Sequence, residues 1–346
     1  MTDTTATLRV GIVGAGANTR FRHIPELQRI DGVTIVGVCN RTAGSTLAVA
    51  GEYGIPRTYD GWRGLVEDSE IDAVVVGTWP DMHAIVTIEA LRRNKHVLCE
   101  ARMARTAAEA RAMLDASRAQ PHVTAHLVPA PFTLHVDSTI AQLLADRFLG
   151  DLLVIDVRAG GTFADSDSPL HWRQDARISG YNVLSLGIWY ETIARWVGPA
   201  ERLTARTKTF VKTRLDSGSR RHGVRVPDHV DVTAEMATGA QAHFQISAVT
   251  GLGPTVEVTL YGTEGTLRFD GRNLHGAKRG ADRLEQIAVT ERPETSWHVE
   301  RDFVAAVRGD GVRPVTTFAD GVEYMEFTEA VARSAARGVT VALPLV

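Results

Sequence analysis

Apolar residues arrive in two rhythms along this chain. In the first third, short and nearly continuous apolar runs occur at Leu8–Val13, Val33–Cys39, Ala73–Gly77 and His96–Cys99. Such runs suit strands buried on both faces of a parallel sheet. Between them, Pro25–Ile30, Ala43–Tyr53, Met82–Arg93 and Ala107–Ala119 carry apolar residues at helical spacing with charges opposite. Alternation of this kind predicts βαβ units, with Val123–Leu127 as the last strand. The rhythm then changes. Asp151–Ala159, Ala200–Val211, Val230–Met236, Ala240–Ala248, Thr255–Tyr261 and Gly265–Phe269 read as longer strands, many alternating. Tight turns at Thr238–Gly239 and Gly262–Gly265 predict antiparallel neighbours. Helices are expected at Asn182–Val197, Trp297–Arg308 and Phe318–Arg337. The fold class is therefore an α/β Rossmann domain, residues 1–125, followed by an α+β domain, residues 126–346, with a large open, mainly antiparallel sheet.

Composition adds exclusions. With 346 residues, 44% hydrophobic and 23% charged, the chain is an ordinary globular sequence long enough for two domains. A net charge of -3 gives no electrostatic reason to expect nucleic acid or acidic membrane as a partner. No apolar stretch approaches the length of a membrane span, and Met1–Thr7 lacks the features of a secretory leader. A cytoplasmic protein with a small-molecule substrate is expected. Cys39 and Cys99 end apolar runs and read as buried free thiols without metal-ligand spacing, so no metal site is expected. Lys212–Pro227, with four arginines among Ser and Gly, reads as a solvated hairpin extension or as a flap over an anionic ligand.

The strongest chemical signal is Gly11-Ile-Val-Gly14-Ala-Gly16-Ala-Asn-Thr19, placed between a strand and a helix. Gly14 permits the tight turn, and Gly16 lets the backbone approach a pyrophosphate. Amides of the helix start, at Ala17 and Asn18, then face the anion. Thr19 replaces the third glycine and predicts a slightly displaced helix with binding retained. At the end of the second strand stand Asn40 and Arg41 where an acidic residue usually holds a ribose. A guanidinium matches phosphate geometry, so this pair favours NADP(H) over NAD(H).

Linked motifs carry a further reading. Gly14-Ala-Gly16, Tyr53-Gly54-Ile55-Pro56, Glu70-Ile71-Asp72-Ala73-Val74-Val75-Val76, Thr78-Trp79-Pro80-Asp81-Met82-His83, Lys95-His96-Val97-Leu98-Cys99-Glu100 and Trp172-Arg173…Ser179-Gly180 occur in order. Together they resemble the glucose–fructose oxidoreductase / inositol dehydrogenase / MocA family over nearly the whole chain. The resemblance implies a Rossmann domain, a sheet domain with the substrate site, a homo-oligomer (dimer or tetramer), and Thr78, Trp79, His83 and Glu100 near the cofactor.

It also implies catalytic groups that this chain lacks. The usual Glu-Lys-Pro reads Glu100-Ala101-Arg102, and the usual Asp-x-x-x-His reads Ser185-Leu-Gly-Ile-Trp189. Hydride transfer from an alcohol needs a nearby base. Replacement candidates are His126 at the end of a strand, His171 before Trp172, Arg102 as an anion or oxyanion ligand, and Tyr181 as a hydrogen-bond donor. The leading expectation is an NAD(P)-dependent oxidoreductase, reduction somewhat favoured, acting on a sugar, cyclitol or related carbonyl compound. The alternatives are a lyase, epimerase or glycoside-cleaving enzyme with transient hydride transfer, and a non-catalytic dinucleotide-binding sensor or partner subunit.

Overall fold

The computed structural model describes residues 7–289 and 297–346. The N-terminal stretch considered above for a leader therefore lies outside the described residues apart from Thr7.

The chain forms two units. The first comprises Met1–Pro129 and His298–Val322, the second Ala130–Trp297 and Glu323–Val346. A division at 125/126 assigns residues 298–322 to the second domain. The fold instead returns that segment to the first.

In the first unit, β1 (Leu8–Val13), β2 (Val33–Cys39), β3 (Arg57–Thr58), β4 (Ala73–Val76), β5 (His96–Cys99) and β6 (Ala125–Leu127) make one six-stranded parallel sheet in the order β3-β2-β1-β4-β5-β6. All four residues of β4 are buried, as the unbroken apolar run requires. The connections are α1 (Ile24–Gln28), α2 (Ala43–Tyr53), α3 (Trp62–Glu67), α4 (Pro80–Arg92) and α5 (Ala107–Ala119). Caps fix two of them. The Thr42 side chain accepts from the Ser45 amide at 3.3 Å to open α2, and Thr106 does the same for the Glu109 amide at 3.1 Å at α5. Trp62–Glu67 is not among the helices expected above, because the segment is too short to show a helical period. Because β4 lies beside β1 rather than β3, chain direction across the sheet reverses there. Open α/β sheets bind ligands at such a switch point, outside the carboxyl ends of the strands.

The second unit holds a nine-stranded sheet. Its strands are β7 (Leu152–Gly161), β8 (Ala200–Lys208), β11 (His229–Met236), β12 (Gln241–Gly251), β13 (Val256–Gly262), β14 (Gly265–Phe269), β15 (Leu274–Lys278), β16 (Glu285–Ile287) and β17 (Val341–Ala342). Their order is β16-β15-β14-β13-β7-β12-β11-β8-β17, antiparallel except for β7 beside β12. β9 (Thr213–Leu215) and β10 (Arg221–Gly223) form a separate two-stranded hairpin in the arginine-rich segment. Asp216 ties its turn, accepting from the Gly218 and Arg220 amides at 2.8 and 2.9 Å and facing His222 at 2.7 Å. These donors hold its carboxyl well below the usual range.

Helices α6 (Leu134–Ala145), α7 (Ala176–Ser179), α8 (Leu186–Val197) and most of α10 (Phe318–Arg337) complete this unit, while α9 (Val299–Arg308) belongs to the first. Along β11, buried and exposed positions alternate from Val230 to Met236, so one sheet face is covered and the other open. The covered face centres on aromatic rings. Tyr190 of α8 stacks on Phe327 of α10 with centroids 3.7 Å apart, and Phe244 of β12 meets Phe327 edge-on at 5.4 Å. Phe327→Ala is expected to lower stability by about 3–5 kcal/mol, the usual loss for a deleted core phenyl ring. Urea unfolding checks this; a loss below about 1 kcal/mol would mean the cluster does not anchor the sheet.

Candidate functional site

Two strand-end loops meet at the switch point. Gly14 follows β1 with φ +85°, a conformation that side chains rarely adopt, and a Cβ there would lie 2.5 Å from the Thr78 methyl carbon. Gly77 follows β4, where a Cβ would lie 2.1 Å from Thr19 Oγ1 and 2.4 Å from the Gly14 carbonyl oxygen. Both glycines are thus demanded by packing. Gly16 is different. Its Cβ would meet only the Gly77 carbonyl oxygen, at 3.3 Å. At that distance a Cβ is tight against one backbone oxygen, which would have to give by a few tenths of an ångström; beyond it the position is open, a cradle that a side chain would fill. The helix behind it runs over residues 17–28 and is π-wound at Thr19–His23. Thr19 is buried, and its hydroxyl donates to the Gly14 carbonyl at 3.3 Å. A wider π turn accommodates this larger residue where glycine is usual. The first amides of the helix, at Ala17 and Asn18, have no intrahelical acceptor and suit an anion.

Asn40, at the end of β2, is occupied by the protein. Its Oδ1 accepts from the Ala15 amide at 2.7 Å and its Nδ2 donates to the Ser45 carbonyl at 3.1 Å. It clips the glycine loop to the start of α2. The Arg41 guanidinium lies over the Trp79 ring, 4.9 Å from its centroid. This cation–π contact gives both side chains a mutual partner beside the loop.

At the carboxyl end of β5 the side chains build a buried polar array. Glu100 accepts from the Asn18 side-chain amide, from the Ala101 backbone amide at 3.1 Å and from His23 Nε2 at 2.9 Å. His23 Nδ1 turns to Glu300 Oε1 of α9 at 2.5 Å. The imidazole is fully buried, and Glu300 nearly so. Burial opposes a charge on His23, but hydrogen bonds and attraction from Glu100 and Glu300 outweigh it and raise the ring to about 9. Burial likewise pushes Glu100 up, and His23 and Asn18 more than offset it, leaving the carboxyl below its usual range. Each ring nitrogen of His23 thus faces a carboxyl group, an arrangement that favours the imidazolium.

His83 of α4 sits behind this corner, buried, with Nδ1 3.0 Å from the Arg102 carbonyl and Nε2 2.9 Å from the Thr78 carbonyl. Two acceptors require two donors, so the ring is an imidazolium clamp between the loops after β4 and β5. Burial opposes that charge; the Cys99 sulfur, the Thr78 carbonyl and Glu100 raise the ring to about 9. Cys99 and Cys39 are buried free thiols. Among the described residues no cluster of three metal-ligating side chains occurs, and no helix is long and apolar enough to cross a membrane.

The replacement candidates scatter. His126 packs edge-on against Phe303 of α9 at 5.7 Å and is 5% exposed. It lies in the layer under α9, where burial pushes it down to about 4 and keeps it neutral. Arg102 is buried immediately after the vacated lysine position. His171 and Tyr181 belong to the second unit. His171 is exposed; its Nδ1 accepts from the Arg173 amide at 3.3 Å, capping a short 3-10 turn. Tyr181 is 40% exposed. Trp189 is buried, stacked on Phe132 at 5.4 Å, and its indole nitrogen has no hydrogen-bond partner among the described residues. Glu191 is buried: it accepts from the Ala130 amide at 2.9 Å and pairs with Arg195 at 3.1 Å.

Sequence reasoning missed His23 and Glu300. A lone histidine on the inner face of the first helix was the only signal, since its partners lie 77 and 277 positions away.

Comparison with known proteins now decides the family. Residues 8–141 match the model of an oxidoreductase family with an NAD-binding Rossmann fold, and residues 138–268 match the GFO/IDH/MocA C-terminal domain. The chain belongs to the GFO/IDH/MocA family. It is 27% identical to levoglucosan dehydrogenase of Pseudarthrobacter phenanthrenivorans, over 85% of this chain and 86% of that one. It is also 27% identical to trans-1,2-dihydrobenzene-1,2-diol dehydrogenase of Sus scrofa, over 75% of this chain and 72% of that one. Among solved structures, an oxidoreductase domain protein from Kribbella flavida superposes with a TM-score of 0.85 at 25% identity, covering 98% of this chain and all of that one.

One expectation is corrected here. The pair Asn40–Arg41 favoured NADP(H), but solved levoglucosan dehydrogenase complexes of the same fold hold NADH, one with a TM-score of 0.85 at 23% identity, covering 99% of this chain and 100% of that one. In the present structure the Arg41 guanidinium lies over the Trp79 ring.

The elevated His23 value makes a stability prediction. Ordinary histidine titrates near 6.5, so the stabilisation is complete below that pH and is lost as pH rises through about 9. The melting temperature should fall between pH 7 and 10. His23→Asn should melt lower at pH 7 and lose less over that interval, the remainder coming from His83, which shifts in the same direction. Equal losses in both proteins would contradict the assignment.

Proposed function

We propose that this protein is an NAD(H)-dependent oxidoreductase of sugars, cyclitols or related ring diols and their ketones. The observation that carries this reading is the Gly16 cradle at the switch point, opposite a carboxylate, Glu100, fixed at the carboxyl end of β5. The cradle and the helix-start amides of Ala17 and Asn18 would hold the pyrophosphate. Glu100 would accept from ribose hydroxyls, and Asn40, Arg41, Thr78 and Trp79 would line the remainder. His83 supports these loops from behind. Bound NAD(H) supplies or takes the hydride. Relatives acting on ring carbinols support the substrate class: levoglucosan dehydrogenase, the dihydrodiol dehydrogenase, and inositol 2-dehydrogenase of Salmonella typhimurium, 32% identical over 115 residues.

Ala101, Ser185 and Trp189 offer no group that exchanges a proton near neutrality. Tyr181 and His171, exposed in the second unit, and Arg102, buried in the first, stand as the candidates for the proton or for substrate contact. Reduction is the favoured direction, because water or a hydroxyl can deliver the proton. His126, neutral and packed under α9, is assigned to the core. The same substitutions favour a second reading, a nucleotide-binding protein without turnover.

Gly16→Val separates fold from function. It should melt within a few degrees of wild type and bind NADH at least about tenfold more weakly, the loss of a favourable anion contact. Wild type should oxidise or reduce at least one member of a panel of anhydrosugars, inositols, cyclic trans-diols and the matching ketones, read by nicotinamide absorbance. NADH binding without any turnover across the panel would favour the second reading. No NADH binding would refute both.

A further inference from the structure

The first unit spends three ionisable side chains, two of them buried and Glu100 13% exposed, where one carboxylate would serve to meet a ribose. Glu100 comes from the end of β5, His23 from the π-wound turn after the glycine loop, and Glu300 from α9, far along the chain. A carboxylate at this depth is costly unless it is paired and hydrogen-bonded. Asn18 and the Ala101 amide supply neutral donors; His23 supplies the only charged donor seen on Glu100 among the described residues. An imidazole can donate from Nε2 in its neutral form, but then Nδ1 would face the Glu300 carboxylate as a bare acceptor at 2.5 Å. Two protons on the ring satisfy both facing carboxylates at once. Glu300 thereby favours the donor that fixes Glu100.

We infer that His23 and Glu300 are positioning residues for the nicotinamide half of the cofactor: Glu300 keeps His23 doubly protonated, and His23 holds the Glu100 carboxylate in one orientation. This rests on the NAD(H) reading above. The π turn belongs to the same device. It begins at Thr19, locked to Gly14, and ends at His23, so the residue that shapes the phosphate loop and the residue that orients Glu100 sit on one turn. Further charged groups surround the array. His83 acts on Glu100 from α4, and Asp302 and His298 lie close to Glu300 on and beside α9.

The array should make NADH affinity fall at alkaline pH. Once His23 loses its second proton, Glu100 and Glu300 compete for one donor. The dissociation constant should rise about tenfold between pH 7.5 and 10, the size of one lost charge-assisted hydrogen bond. His83 titrates in the same range, so the pH profile of wild type alone is ambiguous. Glu300→Gln resolves it by removing the carboxylate that touches His23 while leaving His83 in place. The alkaline midpoint should move down by about one unit in that variant, as expected when one flanking charge is withdrawn. A midpoint that stays put in a folded variant would overturn the inference.

Where Glu300→Gln fails to fold, wild type still decides. Exchange of the histidine C2 protons, followed by mass spectrometry without cofactor, gives the midpoint of each ring. The His23 midpoint should coincide with the midpoint of the NADH binding curve, and a separation of more than about one unit would overturn the inference. If wild type binds no NADH at any pH, the cofactor reading itself fails, and the positioning role falls with it. Binding that lacks an alkaline limb refutes the positioning role alone.

Discussion

A largely enclosed carboxylate at the end of a strand has to be matched by donors where it stands, and much of the first unit follows from meeting that demand at Glu100. The neutral donors come from close by, from Asn18 and the Ala101 amide. The charged donor, His23, needs an acceptor of its own, and it finds one in Glu300. That second acceptor lies on α9. Residues 298–322 therefore group with the Rossmann unit even though the sheet of the other unit separates them from it in sequence. Apolar packing seconds the attachment. One turn along α9, Phe303 covers His126, and Leu127 of β6 bridges to Thr316.

The fold was largely legible because burial writes itself into local pattern. β1, β2 and β5 coincide with continuous apolar runs, and α2, α5 and α10 with helical periods. In the second unit the tight turns marked the antiparallel neighbours β11–β12 and β13–β14. Helices α3 and α6 were not legible. The first is only six residues long. The second contains Val136, Asp137, Ser138 and Thr139, residues of modest helix propensity, and keeps its place through tertiary contacts: Asp137 pairs with Arg195 and accepts from the Trp196 indole at 2.6 Å. The extent of the first unit was not legible either, because no local rule connects residue 23 with residue 300.

The site was legible in proportion to how local its chemistry is. The glycine turn announces itself within nine residues, and the structure gives its glycines different roles. Packing forbids a side chain at Gly14 and Gly77, whereas at Gly16 a Cβ is tight against a single backbone oxygen. The inference from Arg41 went astray because a guanidinium at the end of a strand has uses other than a 2′-phosphate, here the face of Trp79. His126 illustrates the reverse case. Its position near the end of a strand suggested chemistry, yet the ring points into the layer beneath α9. Position along a strand does not say which face a side chain occupies until the covering element is known.

Ala101, Ser185 and Trp189 stand where the resemblance implies the family's proton-transfer groups, while within the first unit the polar array around Glu100 is assembled. On the function proposed above, the protein holds a nicotinamide cofactor while its usual catalytic groups have changed. A crystal structure of the NADH complex tests this most directly. The pyrophosphate should lie over Gly16 and the helix-start amides, with a Glu100 oxygen within hydrogen-bond distance of the nicotinamide ribose and His23 still between its two carboxylates. A cofactor whose ribose lies away from Glu100, or a Glu100 carboxylate released from His23 on binding, would contradict it.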